Sequence, residues 1–367
     1  MKKYFLMISL MAGLVSSSSK AQVVEYYTDG SYPVGQQIVY EQLPSYAPAA
    51  QYFGPMPYQN QVAVNSKIRC GSDLSVNSYA RYKDGKWSGI DADFCRIFAQ
   101  ALLGDSEKFE LVNVDKNGVS QALNSGQIDI MLSGAPASAD FEISGDALNA
   151  GLLYYDYQKF MAREGDSDDL EDYRGKKVCI SADSEYFQTV DDYNKNYNLG
   201  FNYLKFDRFS EARQAFLLKR CELMTAGSLE LEGMAQFGAK DKKILSHKIA
   251  LHPVYAYVRN DNNNLRLAVK WIINALYLAE QYDINDKNLD FYSVSDSLEV
   301  NNLLGRNEQL WAKLTVRPLW LKDVISKFGN YSDIFERNFG KDSDYHLERN
   351  EGKLLKDGGI IHPLPFI

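Results

Sequence analysis

The sequence predicts an α/β protein built from two lobes, in which each lobe is a mostly parallel sheet flanked by helices. Strand-like and helix-like segments alternate from Ser66 onward, and such alternation is typical of parallel sheets covered on both faces. The alternation forms two series, and each series contains two of the four cysteines. A length of 367 residues fits two domains, and 45% hydrophobic residues supply enough apolar surface for two cores.

The first 21 residues are predicted to be a signal peptide. Lys2 and Lys3 precede a largely apolar run over 4–15, and small residues lead up to Ala21. A run of this length is too short to span a hydrocarbon core of about 30 Å. We therefore expect export, with cleavage near Ala21.

Residues 22–65 form an extension of unusual composition. They contain seven Tyr, seven Gln and five of the ten Pro residues, but no Lys or Arg. Prolines at this density disfavour helices and central strands. The extension is therefore either a flexible spacer or a segment that docks on the folded body or on a partner.

The two series are predicted from their periodicity and flanking residues. The first contains strands Lys67–Cys70, Phe109–Val114 and Ile128–Leu132, a helix led by Asp91 and Asp93, and a short helix Val119–Leu123. The second contains strands Lys177–Ser181, Phe201–Phe206 and Glu222–Thr225, and helices Glu185–Asn196 and Ser210–Lys219.

The C-terminal part is predicted to be helical. Its longest helix presents one apolar stripe, and the final predicted helix ends at Gly358-Gly359, a common helix stop. The stripe consists of Leu265, Val269, Ile272, Leu276 and Ala279, and the later helices are Leu321–Phe328, Ser332–Asn338 and Tyr345–Leu355.

Composition and motifs exclude several functional classes. A net charge of −8 gives no electrostatic reason to bind nucleic acid. No nucleophile-elbow, zincin, phosphate-loop or dinucleotide motif occurs, so we predict no enzyme activity and no cofactor. The cysteines and the four histidines are too scattered for a metal site. Four cysteines in an exported chain indicate disulfides with three connectivities open, and two α/β lobes favour ligand binding in the cleft between them.

Several motifs resemble the periplasmic amino-acid-binding proteins of ABC importers, in particular the general L-amino-acid-binding branch. They are Cys70-Gly71, Trp87–Cys95, Ala122–Asp129, Tyr154–Asp156, Phe160-Met161, Gly175–Cys179, Gly329–Tyr331 and Ile334–Asn338 with Gly340.

The resemblance implies a monomeric, periplasmic receptor with a Venus-flytrap fold. It implies a small-molecule ligand, an inner-membrane ABC permease as partner, and disulfides Cys70–Cys95 and Cys179–Cys221. Residues 66–162 and 255–367 would form lobe 1 with its C-terminal helices, and 163–254 would form lobe 2.

The resemblance fails at the ligand pocket. The family's carboxylate-binding Arg aligns with Phe141, and no Arg occurs between Arg96 and Arg163. The family's Gly-Thr-Thr turn is Ala182-Asp183-Ser184 here, and Gly227 stands where the family has the Asp that binds the ammonium group. The ligand-binding residues predicted on this basis are Tyr79, Ser133, Phe141, Ser181, Asp183, Ser184 and Gly227.

We therefore expect a solute-binding protein for a small polar solute that is not an ordinary L-amino acid. The alternative is a non-transport interaction or sensor protein on the same scaffold with a degenerate cleft. Dehydratases of prephenate-type acids share this fold, but such anionic substrates would need the missing Arg.

Overall fold

The computed structural model describes residues 21–26, 35–40 and 67–367, except 136, 145, 183–184, 239–240 and 294. The predicted signal peptide lies outside the described residues except for Ala21. In the extension, β1 (Ala21–Tyr26) and β2 (Gly35–Tyr40) pair antiparallel, a hairpin that the proline content did not predict. Residues 1–53 form a unit of their own, so the hairpin is described by itself.

Residues 54–367 form the second unit, and most of its described strands belong to one sheet. The strands in chain order are β3 (Ile68–Ser72), β4 (Arg81–Lys83), β5 (Lys86–Ser88), β6 (Phe109–Asn113), β7 (Ile130–Met131), β8 (Ala147–Arg163), β9 (Lys177–Ser181), β10 (Asn202–Phe206), β11 (Leu223–Gly227), β12 (Lys242–Ile244) and β13 (Ala250–Arg259).

Within the described part of the chain, the sheet order is β10-β9-β11-β8-β13-β7-β3-β6, with β12 pairing β8, while β4 and β5 form a separate hairpin. Strands β9, β10 and β11 are parallel to one another at one end, and β3, β6 and β7 are parallel at the other. The mixed α/β class predicted from the sequence is confirmed.

The long strands β8 and β13 join the two parallel ends of the sheet, and they pair antiparallel with each other. Their register shifts after Val254, and such irregularities bend a strand. The first part of β8 pairs only with β13, whereas its last residues pair with β11 and β12. The sequence analysis did not predict either strand.

The helices cover the sheet and carry much of the core. They are α1 (Ile90–Leu103), α2 (Val119–Asn124), α3 (Ala139–Ile143), α4 (Glu185–Asn196), α5 (Phe209–Leu217), α6 (Ser228–Gly238), α7 (Asn263–Gln281), α8 (Leu298–Leu303), α9 (Glu308–Lys313), α10 (Trp320–Phe328) and α11 (Tyr331–Asn338). The apolar stripe predicted for the long C-terminal helix is buried on α7. None of the helices in the described residues is long and apolar enough to cross a membrane.

The hydrophobic core divides along the chain. Two buried clusters draw their residues from Phe160 to Ile249 only. The other two take theirs from residues 68–154 and 256–366, with Leu229 as their buried member from the intervening region among the described residues. Packing thus changes between Tyr154 and Phe160 on β8. The lobe limits 66–162, 163–254 and 255–367 remain a prediction.

Each predicted disulfide is present. Cys70 and Cys95 tie β3 to α1 with a Cα–Cα distance of 6.0 Å. Cys179 and Cys221 tie β9 to the start of β11 with a Cα–Cα distance of 5.8 Å. All four sulfur-bearing side chains are buried, so each bridge fixes a strand to a neighbouring element inside the core.

The helix predicted for Tyr345–Leu355 is wrong. The chain there is irregular, with 3₁₀ turns at Asn350–Gly352 and Leu355–Asp357. His346 and Asn350 both have positive φ, which an α-helix does not allow. The segment is fixed by side chains instead, since the nearly buried Arg349 forms an ion pair with Glu280 of α7.

Candidate functional site

A cleft lies at the carboxyl ends of parallel strands from both ends of the sheet. Asp73 follows β3, Asn113 ends β6, Ser181 ends β9 and Asp207 follows β10, and all four line the cleft. The empty volume is about 1180 Å³ and includes space open to solvent. This is the position in which α/β sheets bind ligands. Further lining residues are Tyr79, Asp115, Lys116, Gly134, Ala135, Tyr186, Arg208, Thr225, Ala226, Glu230 and His252.

The N-terminus of α6 forms one wall of the cleft. Gly227, the residue before the helix, has no side chain with which to cap it. Asp156 of β8 takes this role, because its carboxylate accepts from the Leu229 N–H at 3.3 Å and from the Ser228 hydroxyl. Glu230 accepts from the Gly227 N–H at 2.9 Å, as the third residue of a helix does in a capping box. Two carboxylates therefore compensate the helix dipole here.

The space beside Gly227 is already filled. A Cβ atom at this position would lie 2.4 Å from Asp156 Oδ2, 2.7 Å from the Tyr186 hydroxyl and 3.3 Å from Glu230 Oε2. Although the family's Asp is missing at 227, the Glu230 carboxylate lines the cleft three residues later. The site thus retains an acceptor for a cationic or hydrogen-bonding group.

Aromatic side chains form the inner part of the cleft. The Tyr186 ring packs edge-on against the His252 imidazole, with ring centroids 5.0 Å apart. Gln158 fixes Tyr186 from below, since its side-chain amide donates to the Tyr186 carbonyl at 2.8 Å and to the Thr225 hydroxyl at 3.1 Å. Tyr79 is buried, and its burial together with the nearby Glu230 raises the pKa of its hydroxyl. Tyr79 is therefore neutral at physiological pH.

A buried hydrogen-bond chain supports the floor of the cleft. Asp91, at the start of α1, accepts from the hydroxyls of Ser72 and Ser133, each at 2.6 Å. The Ser133 hydroxyl lies 2.5 Å from the Tyr154 hydroxyl, and it can accept from Tyr154 while it donates to Asp91. The chain holds the segment after β7, in which Gly134 lines the cleft.

Charged residues from both sides meet at the cleft. Arg208 Nε lies 3.7 Å from Asp115 Oδ2, and both side chains are substantially exposed to solvent. An exposed pair of this kind contributes at most about 1 kcal/mol, so a ligand can replace it at small cost. The lining holds two basic residues, Lys116 and Arg208, against four acidic ones, which are Asp73, Asp115, Asp207 and Glu230.

The predicted site residues do not all line the cleft. Tyr79 and Ser181 line the cleft. Ser133 is buried beneath it, while Phe141 lies on α3 against Tyr257, with ring centroids 5.1 Å apart and nearly perpendicular planes. Gly227 lies behind Tyr186 and Glu230. The roles of these residues in binding remain predictions.

Asp183 and Ser184, the remaining predicted site residues, lie outside the described residues.

Sequence reasoning missed Glu230, His252 and Arg208. Glu230 could have been found from its spacing, because a Glu three residues after a helix cap is a recognisable start signal. Arg208 directly follows the predicted strand Phe201–Phe206 and its Asp207, at a position where ligand groups collect. His252 gave no such signal, since β13 was not predicted.

No group of three or more His, Cys, Asp or Glu in the described part of the chain is arranged to hold a metal ion. The chemistry that the cleft offers is hydrogen bonding, aromatic contact and charge pairing.

Comparison with known proteins identifies relatives that are named as amino-acid-binding or amino-acid ABC transporter-binding proteins. The putative amino-acid ABC transporter-binding protein YhdW of Escherichia coli K12 is 29% identical over 304 residues, covering 81% of this chain and 89% of the relative. The general L-amino acid-binding periplasmic protein AapJ of Rhizobium johnstonii is 27% identical over 312 residues, covering 83% and 92%.

A solved structure shows the same fold. The ABC transporter periplasmic binding protein from Brucella ovis with glutathione bound superposes with a TM-score of 0.78 at 27% identity, over 85% of this chain and 100% of that one. The sequence model of the bacterial extracellular solute-binding proteins, family 3, matches residues 68–290. This protein therefore belongs to family 3 of the bacterial extracellular solute-binding proteins and is related to the receptors of amino-acid ABC importers.

Proposed function

We propose that this chain is a periplasmic, monomeric receptor that delivers a small polar solute to an inner-membrane ABC permease. The signal-peptide pattern before Ala21 supports export. Relatives named as ABC transporter-binding proteins support the permease as partner. The proposed role is binding rather than catalysis, because the relatives are named as binding proteins.

We further propose that the solute is not an ordinary L-amino acid. The supporting observation is the charge of the cleft, whose acidic residues outnumber its basic ones by four to two. Phe141 takes the position of the family's carboxylate-binding Arg and packs against Tyr257. A desolvated charge left without its partner costs about 3–5 kcal/mol, which weakens binding by about a hundredfold to a few thousandfold.

Glu230 favours a solute with an amine or another hydrogen-bond donor. Its carboxylate lines the cleft. Glu230 Oε2 lies 3.3 Å from the position that a Cβ atom of residue 227 would take, where the family has an Asp. An amine can therefore bind here, whereas a carboxylate has only Arg208 and Lys116 as cationic residues in the lining.

A binding screen tests this proposal. The mature chain is unfolded, dialysed to remove bound solutes and refolded with its disulfides intact. It is then screened by thermal shift and calorimetry against the twenty L-amino acids, amines, opines, short peptides and glutathione, the last because a relative is described with it bound. We expect binding outside the amino acids. One L-amino acid with a Kd below about 10 μM would contradict the specificity proposal, and no binding at all would contradict the receptor proposal.

The alternative, an interaction protein with a degenerate cleft, makes the opposite prediction. It requires that no compound of the screen binds and that a stable partner depends on residues 22–65. The polar lining of the cleft favours the receptor, because a degenerate cleft is expected to become filled with apolar side chains.

A further inference from the structure

One polar atom at the cleft lacks a partner. His252 lies on β13 and is 8% exposed, and its Nε2 has no hydrogen-bond partner among the residues that the structure describes. Buried polar groups are nearly always hydrogen-bonded in folded proteins, so an unpartnered one requires an explanation. Here the residue belongs to the lining of the cleft.

The imidazole lies on the cleft side of the sheet. Its ring is in edge contact with the Tyr186 ring, and Tyr186 also lines the cleft. In the β8–β13 ladder His252 is directly opposite Asp156, so the two side chains project from the same face. The Asp156 carboxylate is directed to the start of α6 instead, where it accepts from Ser228 and Leu229.

The position of the ring is fixed without the use of its Nε2. Tyr186 holds one side of the imidazole, and the buried Gln158 fixes the Tyr186 backbone. Burial lowers the pKa of His252 to about 4, so the ring is neutral at physiological pH and carries one donor and one acceptor nitrogen. A neutral ring of fixed orientation is suited to a single directed hydrogen bond.

We infer that His252 is a ligand-binding residue that forms a hydrogen bond with a neutral polar group, an amide or a hydroxyl, of the solute. This inference rests on the proposed receptor function and adds a specific group to the ligand. A carboxylate does not suit this position, since Asp156 is directly opposite in the ladder, Glu230 also lines the cleft and the ring carries no charge. An amine has a better partner in Glu230.

The test compares His252→Phe with His252→Gln. Phe retains the ring and its contact with Tyr186 but has no polar atom, whereas Gln retains a polar group at a similar distance from the backbone. The probes are compounds of the screen above, beginning with reduced glutathione, agmatine and glycylglycine, and Kd is measured by calorimetry. We expect His252→Phe to bind at least tenfold more weakly than wild type and His252→Gln to stay within a few-fold.

Two further measurements separate a binding role from a structural one. The ligand-free melting temperature of His252→Phe is expected to equal or exceed that of wild type, since an unpartnered polar atom is removed. In wild type labelled with ¹⁵N-histidine, the His252 imidazole signals are expected to move on saturation with the probe, while those of the exposed His362 stay unchanged.

Several outcomes would overturn the inference. One is equal affinity of His252→Phe and wild type, and another is a bound probe that leaves the His252 signals unmoved. A fall of several degrees in the ligand-free melting temperature of His252→Phe would indicate that Nε2 has a structural hydrogen bond without the ligand, for example to an ordered water. These results leave the receptor function standing, whereas absence of binding to every compound of the screen would contradict both.

Discussion

The carboxyl group of Asp91 is buried within a small polar environment at the start of α1. Its partners are the hydroxyls of Ser72 and Ser133 and the Ser133 N–H, and no cation faces it among the charged groups that shift its pKa. Burial raises the pKa of Asp91 from 3.8 to about 7, against the opposing effect of these hydrogen bonds. Ionisation of this one residue is therefore coupled to folding.

Asp91→Asn should change how stability depends on pH. The folded pKa is raised above the unfolded value, so Asp91 stabilises the fold fully below pH 4 and progressively less as pH rises to 7. The free energy of unfolding should fall over this window by up to about 1.4 kcal/mol per pH unit from this group. Urea unfolding at four values between pH 4.5 and 7.5 measures the slope, which should be shallower in the variant.

Asp192→Asn serves as the control, because that carboxylate is 75% exposed on α4 and should leave the slope unchanged. An Asp91→Asn protein with the wild-type slope would contradict the prediction. Asp156, whose pKa burial also raises to about 7, should contribute the slope that remains.

Gly227 is a position beside the cleft at which a side chain is poorly tolerated. Its Cβ position is 2.4 Å from Asp156 Oδ2, and overpacking of this kind costs about 1–3 kcal/mol. Gly227→Ala should lower the free energy of unfolding by that amount. Gly118→Ala is the matched control, since its Cβ would meet neighbours only at 3.6 Å or more and should be neutral. Equal stability of the two variants in urea unfolding would contradict the prediction that the space beside Gly227 is filled.

At the scale of elements, short strands and amphipathic helices were predictable because their patterns are local. The predicted strand Lys177–Ser181 and helix Glu185–Asn196 coincide with β9 and α4. The strands β8 and β13 were not predictable in this way. Buried and partly exposed residues do not alternate regularly along the 17 residues of β8, because its two ends face different cores.

Pro253 lies within β13, although proline disfavours a central strand. The structure resolves the conflict, since β13 pairs with β7 only at Tyr257 and Val258. In the described part of the chain, Pro253 is paired with Tyr155 of β8 but with no residue on the second edge of β13. This position resembles an edge strand, in which a missing N–H is tolerated. His252 lies next to Pro253 on β13 and lines the cleft. Because the strand was not predicted, this part of the candidate site could not be predicted from the sequence either.

The extension 22–65 is the element whose removal should matter least to folding. It has few aliphatic residues at core spacing. We expect a chain of residues 66–367 to melt within about 2 °C of the mature chain in calorimetry. A drop beyond the 2–4 °C that about 1 kcal/mol produces at this size would instead indicate that the extension packs on the body.

At the scale of the whole molecule, residues 163–254 contact the predicted lobe 1 through side chains as well as through the sheet. The Ser78 hydroxyl donates to the Leu229 carbonyl at 2.5 Å, and Gln236 of α6 donates to the Asp344 carbonyl at 3.0 Å. Arg208 and Asp115 form the ion pair described above. The first two of these contacts involve α6, so we expect closure of the cleft to depend on how closely this helix approaches Ser78.

Gly233 sets that approach. A Cβ atom there would lie 3.0 Å from the Ser78 hydroxyl and 3.1 Å from the Ser78 backbone nitrogen. A larger side chain should therefore keep α6 away from Ser78 and hold the cleft open, while Ala would favour the helix by up to about 1 kcal/mol over Gly. Affinity should then fall with side-chain size, from wild type to Gly233→Ala to Gly233→Leu, because a receptor whose closed state is less populated binds more weakly in proportion.

Small-angle scattering and calorimetry test this prediction together. Wild type should show a smaller radius of gyration with a bound solute than without, and Gly233→Leu should keep the larger radius at the same solute concentration. Its ligand-free melting temperature is measured as well, because Gly233 is buried and overpacking there would lower the stability. A Gly233→Leu protein that contracts and binds like wild type would show that the contact between α6 and Ser78 does not limit closure.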